Sequence, residues 1–275
     1  MSHTVIRRYY DEIPVPGKPL GRIYHWDSRS LAYPYVPPMT VPVVSVTWPR
    51  PGGGILDQGA TSSCTGNALT GALECDPDYD TLPPGHPALG EPLALSIYSA
   101  AETIDGHGTY PPNDVGSSGT SVCQAATNMG LISGYTHCTT LDLMLQALMN
   151  GPVIAGYNWW SSFDTPAADG TITIAPGARV RGGHETLFRG VDAANQMLEA
   201  DNSWGTGYGV NGSFKVPFAV MTQLFAQGGD CNVLVPLSAP PPVPVPVPVP
   251  TPPPAPQTLA GIAVELAAWL KSRNL

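Results

Sequence analysis

Three short segments of the 275-residue chain carry residue types that could act together in covalent chemistry. The first is Gln58-Gly59-Ala60-Thr61-Ser62-Ser63-Cys64, which opens a stretch of helix-compatible composition running to Glu74. A cysteine at a helix N-terminus has its thiolate favoured by the dipole and by backbone N–H groups that the helix leaves unpaired. The second is Gly182-Gly183-His184, at the start of a predicted strand. The third is Asp201-Asn202-Ser203-Trp204-Gly205, followed by Thr206-Gly207-Tyr208-Gly209. Singly each is weak, because a lone Cys or His is more often part of a core. Jointly, and in this chain order, they supply a nucleophile, a base and an amide to orient the base.

The order Cys, His, Asn and the strings around them resemble the papain-like cysteine peptidases. Gln58 stands six residues before Cys64, where that family has a Gln-Gly pair. The run Asn202-Ser203-Trp204-Gly205-Thr206-Gly207-Tyr208-Gly209-Val210-Asn211-Gly212 is close to the family's pattern around its orienting Asn and is the most specific signal. Val46-Thr47-Trp48 is similar to the start of a mature domain, so the resemblance spans roughly residues 43–237.

The resemblance implies an α+β, two-lobed papain-like fold, with Cys64 on a helical lobe and His184 and Asn202 on a β-barrel lobe. It implies a Cys64–His184 thiolate–imidazolium pair and an oxyanion site made by the Gln58 amide and the Cys64 N–H. Asn202 would hold the imidazole, and Trp204 would cover that hydrogen bond. Gly116 and Ser117, in Asp114-Val115-Gly116-Ser117-Ser118-Gly119, fall where the family pairs a Gly-rich loop with substrate backbone. Gly183, beside the base, joins Trp204 on the substrate-binding side. No metal or cofactor is implied.

The chain also departs from the pattern. Thr61 replaces a commonly disulfide-bonded Cys, Thr65 replaces an aromatic, and Glu185 stands where a small apolar residue is usual. A carboxylate at Glu185 would either raise the His184 pKa or face solvent. No helical inhibitory propeptide is visible, which leaves control to the N-terminal arm, to a partner or to neither. These departures look like papain-like proteins of bacteria and their phages.

The elements that must position these residues can be read coarsely. Residues 1–41 are rich in Tyr and Pro and read as an extended arm, ahead of a peptidase domain at 42–238. Helices are expected at 64–74, 93–105, 121–129 and 140–149, in a helical lobe of about 55–150. Strands are expected at 41–48, 153–157, 170–174, 185–191, 197–202 and 212–216, mostly in a β lobe of about 151–237. Helices first and strands second suggest α+β architecture. Of the 32 prolines, 11 lie in residues 240–256, a charge-free tract whose composition favours a polyproline II linker over 239–257. Residues 258–275 read as an amphipathic helix, expected to dock on its own domain, a second copy or another protein.

Charge narrows the partners. The formal net charge is −9, and between Arg50 and Arg179 there are 12 acidic residues and no Lys or Arg. Nucleic acid is thereby disfavoured, and a polypeptide substrate of basic or neutral character is expected. Without a signal sequence or an apolar span, a cytoplasmic or virion-associated location is expected. The five cysteines are expected to be mostly buried free thiols. Two rival readings remain open: a papain-like module of lost or reduced activity serving a larger assembly such as a virion, and a Cys-His amidase or transferase.

Overall fold

The first half of the chain folds into four helices, three following a Ser or Thr at the N-cap and one following Gly90 with Pro92 in its first turn. In the computed structural model these are α1 (Cys64–Leu73), α2 (Glu91–Asp105), α3 (Gly119–Asn128) and α4 (Leu141–Leu148). Ser118 caps α3 by accepting from the Ser121 N–H, and Thr140 caps α4 by accepting from the Leu143 N–H. All ten residues of α1 are buried, which its small side chains permit. Gly66 is essential to that packing: a Cβ there would lie 2.2 Å from the Ala94 carbonyl oxygen of α2.

The second half forms an antiparallel sheet of seven strands. Its path runs β4 (Gly134–Cys138), β9 (Asp230–Val235), β5 (Val153–Trp160), β6 (Val180–Asp192), β7 (Met197–Asp201) and β8 (Ser213–Pro217). The short strand β3 (Val46–Thr47) pairs with β6, and α5 (Phe218–Ala226) joins β8 to β9. Period-two alternation splits the core between the two sheet faces. Ile154, Leu187 and Leu234 pack with Leu69, Leu73, Ile97 and Val122 of the helices. Val153, Ala155, Tyr157 and Phe188 pack on the other side with Trp159, Phe214, Met221 and Leu224. Two cores on one sheet make the fold α+β.

Several expectations change. The strand expected at 170–174 is a turn, with one isolated bridge from Thr171 to Lys215. The Asp169 carboxylate accepts from the Thr171 N–H and hydroxyl, and this local bonding competes with a ladder. The strand expected at 41–48 shrinks to Val46–Thr47. Strand β6 begins at Val180, so His184 lies within the strand rather than at its start.

The structure describes residues 5–8, 10–27 and 33–237, with backbone only at 5–8 and 25–27. The linker expected at 239–257 and the helix expected at 258–275 lie outside the described residues. The N-terminal segment contributes a two-stranded antiparallel pair, β1 (Val5–Arg8) with β2 (Tyr24–Asp27). The residues between these strands bear directly on the site.

Candidate active site

Cys64 is the first residue of α1, and His184 lies on β6, against which α1 packs. The N–H of Glu185, one residue beyond His184, donates to the Cys64 sulfur. The antiparallel β6–β7 register aligns Leu187 with Asp201 and so brings Asn202, just past β7, alongside His184. His184 Nε2 donates to Asn202 Oδ1 at 2.8 Å, and the Ser203 N–H donates to the same oxygen at 2.8 Å. An acceptor at Nε2 fixes the tautomer, so Nδ1 carries the lone pair. That Nδ1 is buried and has no hydrogen-bond partner. The arrangement therefore leaves one imidazole nitrogen without a partner on the strand against which α1 packs.

The imidazole is enclosed by two indoles. Trp204 lies 5.0 Å from it, centroid to centroid, with the two ring planes 30° apart. Trp159 of β5 lies 4.8 Å away in edge-on geometry. Trp159 lies just past the strand expected at 153–157 and has no expected role. Its signal was its place in an apolar run that the register sets beside Gly182.

Gln58 is buried and bonded at both ends of its amide. Its Nε2 donates to the Thr61 carbonyl at 2.6 Å, and its Oε1 accepts from the Ser203 hydroxyl at 2.6 Å. One N–H of the amide remains for another acceptor. The loop is thus tied to the segment carrying Asn202 and Trp204, which links the two lobes across the site.

Two carboxylates of the basic-free stretch, Glu102 and Asp105, are buried and point inward. Glu102 Oε1 accepts from the Tyr98 hydroxyl at 2.8 Å and from the Val115 and Gly116 N–H groups at 2.6 and 3.2 Å. Asp105 accepts from the Ser117 and Ser121 hydroxyls, each at 2.7 Å. They hold the Gly116–Ser117 loop in place. Near Asn202, Arg50 bridges Glu74 at the end of α1 to Asp201 at the end of β7, and Arg189 also bonds Asp201.

The N-terminal arm fills the cleft. Gly21 and Arg22 donate their N–H groups to the Gly183 carbonyl at 3.2 and 3.0 Å. On the other side, Ser117 donates to the Gly21 carbonyl at 2.9 Å, and Ile23 donates to the Ser117 carbonyl at 2.7 Å. Trp204 Nε1 donates to the Pro19 carbonyl at 2.9 Å. A Cβ at Gly116 would lie 2.2 Å from the Gly21 oxygen. Gly116, Ser117, Gly183 and Trp204, the four expected substrate-binding residues, all meet the arm. Arg181 straps it further by donating to the Ile13 and Lys18 carbonyls at 2.9 and 2.8 Å.

Burial acts against the expected protonation states. Cys64 and His184 are both completely buried. Desolvation, with a smaller contribution from the Arg181 cation, pushes the imidazole down to about 3. Desolvation likewise pushes the thiol well above its ordinary value. Burial thus favours the neutral thiol and the neutral imidazole over the thiolate–imidazolium pair that the resemblance implies. Glu185 meets neither expectation for it. It is fully buried, and its carboxylate faces Arg22 at 3.8 Å rather than solvent.

All five cysteines are free and buried. Among the described residues, no group of His, Cys, Asp or Glu is arranged to hold a metal ion. Among them, too, no helix is long and apolar enough to cross a membrane.

Comparison with solved structures identifies the architecture. Xylellain, a cysteine protease from Xylella fastidiosa, superposes with a TM-score of 0.63 at 20% identity, covering 86% of this chain and 100% of that one. ProCathepsin B S9 from Trypanosoma congolense gives 0.54 at 15% identity, covering 81% and 88%. Digestive procathepsin L 3 from the larval midgut of Tenebrio molitor gives 0.53 at 15% identity, covering 74% and 73%. No family model and no curated protein sequence matches the chain. The fold is that of the papain-like cysteine proteases.

Proposed function

We propose that the protein is a cysteine-type peptidase that hydrolyses peptide bonds through Cys64, His184 and Asn202, with the arm as its built-in cover. The observation that carries this reading is the His184 Nε2–Asn202 Oδ1 bond of 2.8 Å, which leaves a partnerless Nδ1 on the strand against which the Cys64 helix packs. A scaffold has no physical need for a buried, unsatisfied imidazole nitrogen, which costs about 1–3 kcal/mol.

The chemistry follows from the groups present. When the arm leaves, water returns, the imidazole regains basicity and the thiol loses its proton to Nδ1. The thiolate attacks the peptide carbonyl, and the Cys64 N–H and the spare Gln58 N–H stabilise the oxyanion. His184 then protonates the leaving amine, and water hydrolyses the thioester. Throughout, Asn202 keeps the tautomer and the ring plane fixed.

The test is hydrolysis of an unfolded, fluorescently labelled polypeptide by the full chain. Wild type is expected to release fluorescence, and Cys64→Ala is expected to be inert at an unchanged thermal midpoint. Equal release by both proteins would end the peptidase reading.

A further inference from the structure

Beside the dyad, the arm buries a charged side chain that the proposed chemistry does not use. Arg22 is 3% exposed. Its backbone is held at Gly183 and Ser117, where a bound peptide would lie, and its side chain descends between β5, β6 and β9. Nη2 donates to the Gly228 carbonyl at 3.1 Å and to the Asp230 carboxylate. Nε faces the Glu185 carboxylate at 3.8 Å. These three partners belong to the β lobe and stay when the arm leaves. The Tyr10 hydroxyl, which accepts from Nη1 at 3.3 Å, departs with it.

The room for this side chain is built into the backbone. A Cβ at Gly156 would lie 2.1 Å from Arg22 Nε and 2.3 Å from Glu185 Oε2. At the base, a Cβ at Gly119 would lie 2.5 Å from Asn232 Nδ2 and 2.6 Å from Glu185 Oε1. Both Glu185 oxygens and both Asn232 amide atoms are buried without hydrogen-bond partners, and neither residue is exposed at all. Two carboxylates and a carbonyl converging on one recess repel each other unless a cation sits among them or one carboxyl takes up a proton; burial and Asp230 push Glu185 well above the usual carboxylate range, and the Arg22 cation opposes that rise. Their divergent directions suit a planar guanidinium, which donates from several nitrogens at once, better than a point-like ammonium.

We propose that Glu185 and Asp230 form a specificity pocket for an arginine side chain of the substrate, and that Arg22 of the arm is the plug that occupies it at rest. The word substrate rests on the peptidase reading, whereas the pocket itself does not. The basic-free helical lobe carries the acidic excess from which a basic or neutral substrate is expected. The carboxylates that meet the arginine lie instead on β6 and β9.

Two measurements on the full chain test the pocket. In Arg22→Ala, N-ethylguanidinium at millimolar concentration is expected to raise the thermal midpoint saturably, and ethylammonium is expected to do so far less. The rise is expected to be absent in wild type and in Arg22→Ala/Asp230→Asn. Arg22→Met, which keeps the apolar stem, replaces Arg22→Ala if the latter does not fold. Paired peptides differing only by Arg or norleucine at one position are expected to be cleaved with kcat/KM values about tenfold to hundredfold apart, as for a lost hydrogen bond to a charged group. Asp230→Asn is expected to bring that ratio toward one. No guanidinium effect in the folded plug variants, or cleavage indifferent to arginine, overturns the pocket as a substrate selector. Guanidinium binding with neither peptide cleaved would instead overturn the peptidase reading and leave the pocket standing.

Discussion

His184 couples the site to pH through its burial. Its pKa is about 3 beneath the arm and about 6.5 for a solvated imidazole. Between these values the unfolded or opened protein binds more protons than the covered one. Stability of the covered state therefore rises with pH from about 3 to 6.5 and levels off above. Each pH unit in that window changes it by up to about 1.4 kcal/mol. The thermal midpoint is expected to fall from pH 6.5 to pH 4, and His184→Gln is expected to remove that share of the slope. An unchanged slope in the variant would mean that His184 does not drive it. Gln58→Ala is expected to lower kcat about 100- to 1000-fold through loss of an oxyanion donor. Because Gln58 is buried and bonded to Ser203 and Thr61, the same change is expected to cost about 1–3 kcal/mol of stability, measured by chemical denaturation. Cys64, His184 and Asn202 each stand out in a distinctive local string, and the structure bonds His184 to Asn202. Glu185 and Arg22 were not legible, because their roles exist only where distant segments meet and neither has a local pattern.

Among the elements, the arm decides whether the site is open. A Cβ on Gly21 would lie 2.0 Å from the Ser62 carbonyl oxygen, a rigid backbone atom two residues before Cys64. Gly21→Val is therefore expected to displace the arm while the lobes stay folded. Alkylation of Cys64 by a thiol reagent is expected to accelerate at least about tenfold, with each 1.4 kcal/mol of lost arm binding worth a factor of ten. An unchanged rate in the folded variant would show that the arm does not gate access. Helices α1, α3 and α4 were legible from their Pro-free segments and polar starts, whereas α2 begins two residues earlier than expected because Pro92 is tolerated in a first helical turn. Strands β4 and β9 were not legible. Gly134-Tyr135-Thr136-His137-Cys138 lacks apolar alternation, and the register with Asp230–Val235 makes it a strand. The arm was legible as extended and Pro-rich. That it enters the cleft depends on backbone bonds to Ser117 and Gly183, which composition does not encode.

For the whole molecule, the two cores on opposite faces of one sheet set the cleft, and the cross-ties Gln58–Ser203 and Glu74–Arg50–Asp201 fix its width. The described residues all fall within one compact unit, Met1–Pro240. Deletion of residues 241–275 is expected to leave the midpoint and small-peptide hydrolysis unchanged. A loss of either would place that segment within the working domain. The net charge of −9 also acquires a structure. The helical-lobe carboxylates Glu102 and Asp105 are spent inside on the Gly116–Ser117 loop, while Glu185 and Asp230 face Arg22 of the arm. Most direct for the central claim is mass spectrometry of the Gly21→Val chain after treatment with an epoxide that alkylates nucleophilic thiols. A single adduct on Cys64, slower to form in wild type and absent in Gly21→Val/His184→Ala, is the predicted result. A folded Gly21→Val protein that remains unmodified at Cys64, or an adduct indifferent to His184, would contradict the account.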